Sequence, residues 1–352
     1  MSSEHVFFIV FIVVIVGVLM LDLGLFNKKD HIVKFKEAAI WSGVWIFCAL
    51  AFYVFLNTNG EMVHGIETRS ELANTVAKYH QPVVCTDDFE ASLERYRHNL
   101  SLEFITGYLI EYSLSVDNIF VIIMILGAFK VQEKYYKRVL FWGVLGAIVM
   151  RFLFIFLGAA LIQQFHWVIY VFGGILIITG IRMFLTRNQE EKFDTKNHPI
   201  VKFASKHFSV YPSFVYHHFF VKKNGKNMVT PLFLALLVVE FSDLIFAVDS
   251  VPAIFGVTQD PYIVFFSNIF AIMGLRSLFF MLSNIMGIFH YLKLGLSILL
   301  VVIGVKMIIH DYLTGIGFTN AHSLYIILGI LGVSILASVV FPHKKEEDIV
   351  KG

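Results

Sequence analysis

The sequence predicts an all-α polytopic membrane protein of about nine transmembrane helices, six of which form a 3+3 inverted repeat. Three observations predict it. Of the 352 residues, 57% are hydrophobic and the mean hydropathy is +0.75, above the roughly half-apolar composition of soluble domains. The apolar residues are gathered into runs that reach the ~20 residues a helix needs to cross the hydrocarbon core. Finally, two long stretches carry the same landmarks in the same order.

The runs fall at about 5–26, 38–57, 100–128, 138–161, 165–186, 229–256, 261–282, 290–309 and 322–341. Only helices or closed barrels satisfy their backbone groups in lipid, and runs of this length argue for helices. The N-terminal MSSEH has no basic region, so the first run is expected to be a retained span and not a cleaved signal. This gives two N-terminal helices in 1–57, a loop at 58–99, three-helix units at 100–186 and 229–310, an intervening loop at 187–228, and a last helix with its tail in 311–352. Basic residues gather after the first run (Lys28, Lys29, Lys34, Lys36), after the third (Lys130, Lys134, Lys137, Arg138), through 187–228, and in the tail (Lys344, Lys345, Lys351). With nine spans all four segments share one side. The positive-inside rule then sets the N-terminus outside and the C-terminus in the cytoplasm. In 58–99, Asp87 followed by Glu90 reads as a capping box opening a short helix. In 187–228, Asn224-Gly225 between apolar stretches reads as a hairpin turn.

Several functions are excluded by composition. A net charge of +2 gives no footprint for nucleic acid. Cys48 and Cys85 are too few for a disulfide framework or a thiolate metal site. Haem-ligand pairs, thiol motifs and a dinucleotide fingerprint are missing from the sequence. No organic cofactor and no enzymatic activity are therefore expected.

The repeat is read from four landmarks. Glu111 and Asp117 stand six apart, as do Asp243 and Asp249. Ala147-Ile148-Val149-Met150-Arg151 resembles Ala271-Ile272-Met273-Gly274-Leu275-Arg276. Phe165-His166-Trp167 matches Phe289-His290-Tyr291, and Gly180-Ile181-Arg182-Met183 matches Gly304-Val305-Lys306-Met307. Three spans per unit make the second copy enter from the opposite side, which places a substrate site near the midplane where the copies meet.

The acids carry the chemistry. Glu111 and Asp117 lie well inside the third span, and Glu240, Asp243 and Asp249 inside the sixth, whereas Glu103 falls near a run end and is expected at the interface. A charge at the bilayer centre costs at least about 2.5–3.5 kcal/mol on insertion scales, so these acids must face the bundle interior and find partners. Arg151 and Arg276 can neutralise two of the five, and the surplus points to a cation. Internal ion pairing is the competing reading for any single acid. No Cys or His lies among them. All-oxygen ligands suit magnesium, calcium or manganese, and Ser115, Asn118, Ser242, Ser250 and Asn268 offer further neutral oxygens. Glu240 and Asp243 share a helix face. Asp249 would face away on an unbroken helix, so a break at Pro252 is expected to swing it inward.

FITGYLIEYSLSVDNIFV (104–121), VLGAIVMRFLFIF (144–156) and PLFLALLVVEFSDLIFAVDSVPAIF (231–255), together with FFVKKNG (219–225) and SNIFAIMGLRSLFF (267–280), resemble the signature segments of the TerC family, closest to its Alx-like branch. The resemblance spans roughly 5–341. It implies a multi-pass protein of the bacterial inner membrane that exports manganese(II) as its transported ion. It also implies metal ligands at Glu111, Asp117, Glu240, Asp243 and Asp249, and work beside the protein-secretion machinery in some members. Arg151 and Arg276 would orient the acids of the empty site. Protons and metal compete for the same oxygens, which gives a chemical route to exchange. A metal-sensing membrane scaffold or chaperone, associated with the secretion machinery or with tellurium resistance, is the alternative; an oxidoreductase for tellurite, which the family name invites, lacks the cofactor motifs it would need.

Overall fold

The computed structural model describes residues 3–22, 34–186, 198–213, 215, 218–223, 225–283 and 291–340. Asn224, Phe289, His290 and many of the loop lysines named above lie outside the described residues. The chain folds as α1 (Ser3–Asp22), α2 (Phe35–Asn59), α3 (Arg69–Lys78), α4 (Phe89–Ala128), α5 (Tyr136–Gln164), α6 (Trp167–Thr186), α7 (Pro199–His207), β1 (Phe220–Lys223), β2 (Lys226–Val229), α8 (Pro231–Phe255), α9 (Pro261–Ser283), α10 (Leu292–Ile308), α11 (His310–Gly315) and α12 (Asn320–Val340). The architecture is all-α apart from the small β1–β2 hairpin, which sits where the turn was expected. Among the described residues seven helices, α2, α4, α5, α6, α8, α9 and α12, are long and apolar enough to cross a bilayer. The shorter apolar stretch Glu4–Val18 of α1 and the 17-residue α10 complete the set of apolar runs.

The outward faces carry large exposed apolar side chains such as Phe47, Ile178 and Val333, each more than 65% exposed. A band of this size needs a lipid solvent rather than water. Inside, α9 is buried along nearly its whole length. It packs on α4 while α5 packs on α8, and α6 lies along α10. α12 covers α10 and α4, and α2 covers α4 and α9. An aromatic layer joins α1 to α9, with Phe11 against Phe266 at 4.2 Å between ring centroids and Phe8 against Phe265 at 5.6 Å.

The α6–α10 crossing is closed by small residues. A Cβ on Gly304 would stand 2.7 Å from the Gly173 carbonyl oxygen, and one on Gly180 would stand 2.7 Å from that of Ser297. Without a hydrophobic drive between helices in lipid, close backbone approach of this kind is what supplies packing energy.

The 58–99 segment differs from expectation in its caps. The capping box lies at Thr68 and Glu71, opening α3: the Thr68 hydroxyl accepts from the Glu71 N–H at 3.3 Å, and the Glu71 carboxylate accepts from the Thr68 N–H at 3.0 Å. Asp88, not Asp87, caps the next helix by accepting from the Ala91 N–H at 3.2 Å. That helix is the 40-residue α4, not a short one. Asp87 instead pairs with Arg69 at 2.8 Å. At the same end His64 ties three elements together. Its Nε2 meets the Asp260 carboxylate at 2.7 Å before α9, and its Nδ1 faces Glu4 of α1 at 3.5 Å. Asp260 is fully buried and the His64 side chain is 3% exposed. Burial by itself would lower the imidazole pKa, but the two carboxylates outweigh burial and push it up to about 9.

Candidate cation site

Four transmembrane helices meet at Arg151. It sits in the middle of α5 and is fully buried, because its neighbours on that helix face are the small residues Gly143 and Ala147 and the long side chain must turn into the bundle. The guanidinium has three partners. One Nη1 donates to Glu111 of α4 and to the Asn268 Oδ1 of α9 at 2.8 Å, and Nη2 reaches Asp243 of α8 at 3.5 Å. Asn268 is held in turn by donating its amide N–H to the Val264 carbonyl at 2.9 Å. One base thus bridges acids from both three-helix units.

The acids are only half satisfied. Glu111 is fully buried and the Asp243 side chain is 12% exposed. Yet the second carboxylate oxygen of each, Glu111 Oε2 and Asp243 Oδ2, is buried without a hydrogen-bond partner. Leaving a buried acceptor unmet costs roughly 1–3 kcal/mol, and more when it is charged. Glu240 adds a third acid one turn before Asp243 on α8. Its carboxylate lies directly over Gly146 of α5, in the space any Cβ there would fill. Beside Asp243, between α4, α5, α8 and α9, is a void of about 20 Å³, room for one water-sized occupant.

Of the other predicted residues, Asp249 lies apart from this cluster. α8 runs unbroken through Pro252 to Phe255, so the expected break near Asp249 is corrected. Pro252 falls in the last turn, where one backbone bond is lost and the Gly256 N–H closes the end on the Pro252 carbonyl at 3.0 Å. Asp249 therefore keeps its place on the far side of α8 and accepts from the Thr179 hydroxyl of α6 at 2.9 Å. Asp117 of α4 and Arg276 of α9 are both half-buried, and neither is without a partner. The Asn118 Nδ2 and Ser250 Oγ are buried without hydrogen-bond partners. Among the described residues no three acidic, histidine or cysteine side chains stand close enough to form a ready-made metal cage.

Glu103, expected near the interface, is buried inside the bundle at 1% exposed. It accepts hydrogen bonds from Asn99 at 2.8 Å, from Thr258 at 2.7 Å and from Asn320 at 3.2 Å. The Asn99–Glu103 spacing, four apart on one helix, was the only local signal of this. Thr258 and Asn320 come from distant segments.

The arrangement gathers carboxylate oxygens from α4 and α8 and an amide oxygen from α9 around one guanidinium. Residues 96–346 match the model of the "Integral membrane protein TerC family". The chain is 45% identical over 330 residues to an "Uncharacterized membrane protein STKORF319" of Myxococcus xanthus, covering 94% of this chain and 91% of the relative. It is 40% identical over 345 residues to a "Putative membrane-bound redox modulator Alx" of Salmonella typhi, covering 96% and 95%. The protein of the same name from Escherichia coli strain K12 is 39% identical over 344 residues, covering 96% and 95%. No solved structure matches the chain.

Proposed function

This chain belongs to the TerC family of integral membrane proteins, and we propose that it is a secondary transporter that exports manganese(II) from the cytoplasm through the Arg151-centred site. The observation that carries the reading is the pair of orphaned oxygens. Glu111 Oε2 and Asp243 Oδ2 are buried and unpartnered, while the other oxygen of each carboxylate faces the one guanidinium of Arg151. A divalent cation would satisfy both, with Asn268 Oδ1 and Glu240 as further oxygens of the kind hard ions take. Arg151 holds the empty site by standing in for the missing charge. When the ion enters, the guanidinium must yield, or protons must leave the acids, and either gives a route to exchange for protons.

The α6–α10 seam supports an inverted repeat about this site. The register that sets Gly180 on Gly304 sets Gly173 on Ser297, and the contacts Gly173–Gly304 and Gly180–Ser297 exchange under it. Rocking one unit against the other would alternate access. In this reading the chain lies in the inner membrane with the 58–99 segment outside and the 187–228 segment in the cytoplasm. The redox role in the relatives' name is theirs; here the half-buried Cys48 and Cys85 are both free.

A scaffold or chaperone that senses metal without moving it is the competing class. Manganese flux into everted membrane vesicles separates the two. Glu111→Gln or Asp243→Asn is expected to abolish flux while the protein still inserts. Undiminished flux in both variants would remove the transport reading.

A further inference from the structure

At the end of the bundle that carries residues 58–99 is a cavity of about 380 Å³, with Glu103, Thr258, Lys306 and Asn320 among its walls. That volume lies in the range of small-ligand sites, far above what one ion needs, so it has the character of a mouth. At its buried edge is Glu103, whose oxygens are held by three neutral donors from three segments. Asn99 Nδ2 donates at 2.8 Å, Asn320 Nδ2 at 3.2 Å and Thr258 Oγ1 at 2.7 Å. The half-buried Lys306 of α10 lines the same cavity and closes no ion pair with Glu103 within 4.0 Å. The buried Glu103 carboxyl is thus held by neutral donors, with a lysine amine in the same cavity.

Each neutral donor also owns an oxygen: the Oδ1 of Asn99, the Oδ1 of Asn320 and the hydroxyl of Thr258. Amide and hydroxyl rotation would turn all three toward a cation. The set then holds one carboxylate, two amide oxygens and one hydroxyl, which is the donor chemistry of a hard divalent ion. Glu103 and Glu111 are eight residues apart on α4, roughly 12 Å at ~1.5 Å per residue. Between them Gly107 packs so closely on α9 that a Cβ would lie 2.9 Å from the Ser267 hydroxyl. The mouth and the central site are therefore separate chambers.

We propose that Glu103, Asn99, Thr258 and Asn320 form a second station for the divalent cation at the outer mouth, and that Lys306 is a tethered ammonium that replaces the ion on Glu103 as it leaves. The inference rests on the export reading above. A carboxylate cannot serve the ion and the ammonium together, so each disfavours the other. The station then binds weakly enough to release its cargo outward, as conduction requires.

Titration of purified full-length protein with manganese(II) alone, counting bound ions by the loss of the free-ion paramagnetic resonance signal, tests this. Two ions per chain are expected. Glu111→Gln should remove one and Glu103→Gln the other. Lys306→Met should tighten the Glu103 station about tenfold, the scale of one removed charge–charge repulsion in a partly screened site, and leave the central site unchanged. If Glu103→Gln fails to fold, the Lys306→Met affinity decides. A single ion that survives Glu103→Gln, vanishes in Glu111→Gln and keeps its affinity in Lys306→Met would overturn the station while leaving the export reading intact. No bound manganese in the wild type would overturn both.

Discussion

Replacing Arg151 by methionine keeps much of the side-chain volume and removes one charge. In the folded chain the guanidinium and the Glu111 carboxylate are both 0% exposed, so water cannot fill in for the lost partner. Asp243, 12% exposed, loses its base as well. Breaking a buried pair by deleting one member costs about 3–5 kcal/mol, because the survivor is left as an uncompensated charge. At about 2 °C per kcal/mol for a chain of this size, the melting temperature in detergent should fall by about 6–10 °C. Two further results follow from the same electrostatics. The double variant Arg151→Met with Glu111→Gln removes the stranded charge and should recover most of the loss. Manganese(II) should stabilise Arg151→Met more than the wild type, since the ion no longer competes with the guanidinium; at a hundred times its dissociation constant the gain is about 2.7 kcal/mol. Scanning fluorimetry on the three proteins with and without the ion reads all of this. A single variant that melts with the wild type, or a double variant no more stable than the single, would refute the assignment of Arg151 as the counter-charge of the site.

Gly146→Ala should displace the Glu240 carboxylate, which lies where the new methyl would go. Vesicle flux is expected to fall about tenfold or more, as at sites where roughly 1 Å of misplacement is costly, with insertion retained; full flux would show that Glu240 does not need that seat. For His64, whose pKa is raised to about 9 from its ordinary 6.5, the sign is that of a group stabilised in its protonated form. The stability it adds is fully present below about pH 6.5 and is lost as the pH rises through about 9, worth at most about 3 kcal/mol. The wild type should therefore lose more melting temperature between about pH 7 and about pH 10 than His64→Gln, and equal losses would remove the His64–Asp260–Glu4 tie as their cause. Gly304→Leu should wedge α6 from α10, where even a Cβ would press on the Gly173 carbonyl at 2.7 Å, at a cost of about 1–3 kcal/mol. Unchanged thermal stability would show that the seam is not packed as described.

The positions of the apolar helices, the hairpin turn around Gly225 and the acids carried inside the third and sixth runs were legible in the sequence, because hydropathy over ~20 residues and the cost of a charge in lipid are local quantities; the burial of Glu103 and Asp260 was not. The partnerships were not. Arg151 was expected to balance an acid, but only packing shows that it spans Glu111 and Asp243 from two helices that are 132 residues apart at those positions (243 less 111). Asp249 matched its motif and still faces Thr179, because α8 stays helical through Pro252 and its 100° advance per residue keeps that acid on the far side. Glu103 stands at a run end, and only packing shows that Thr258 and Asn320 arrive from the α8–α9 turn and the start of α12 to bury it. Sequence fixes what each helix must hide from lipid; which group on a distant helix receives the hidden charge depends on helix rotation and crossing, and those are set only when all the helices pack together.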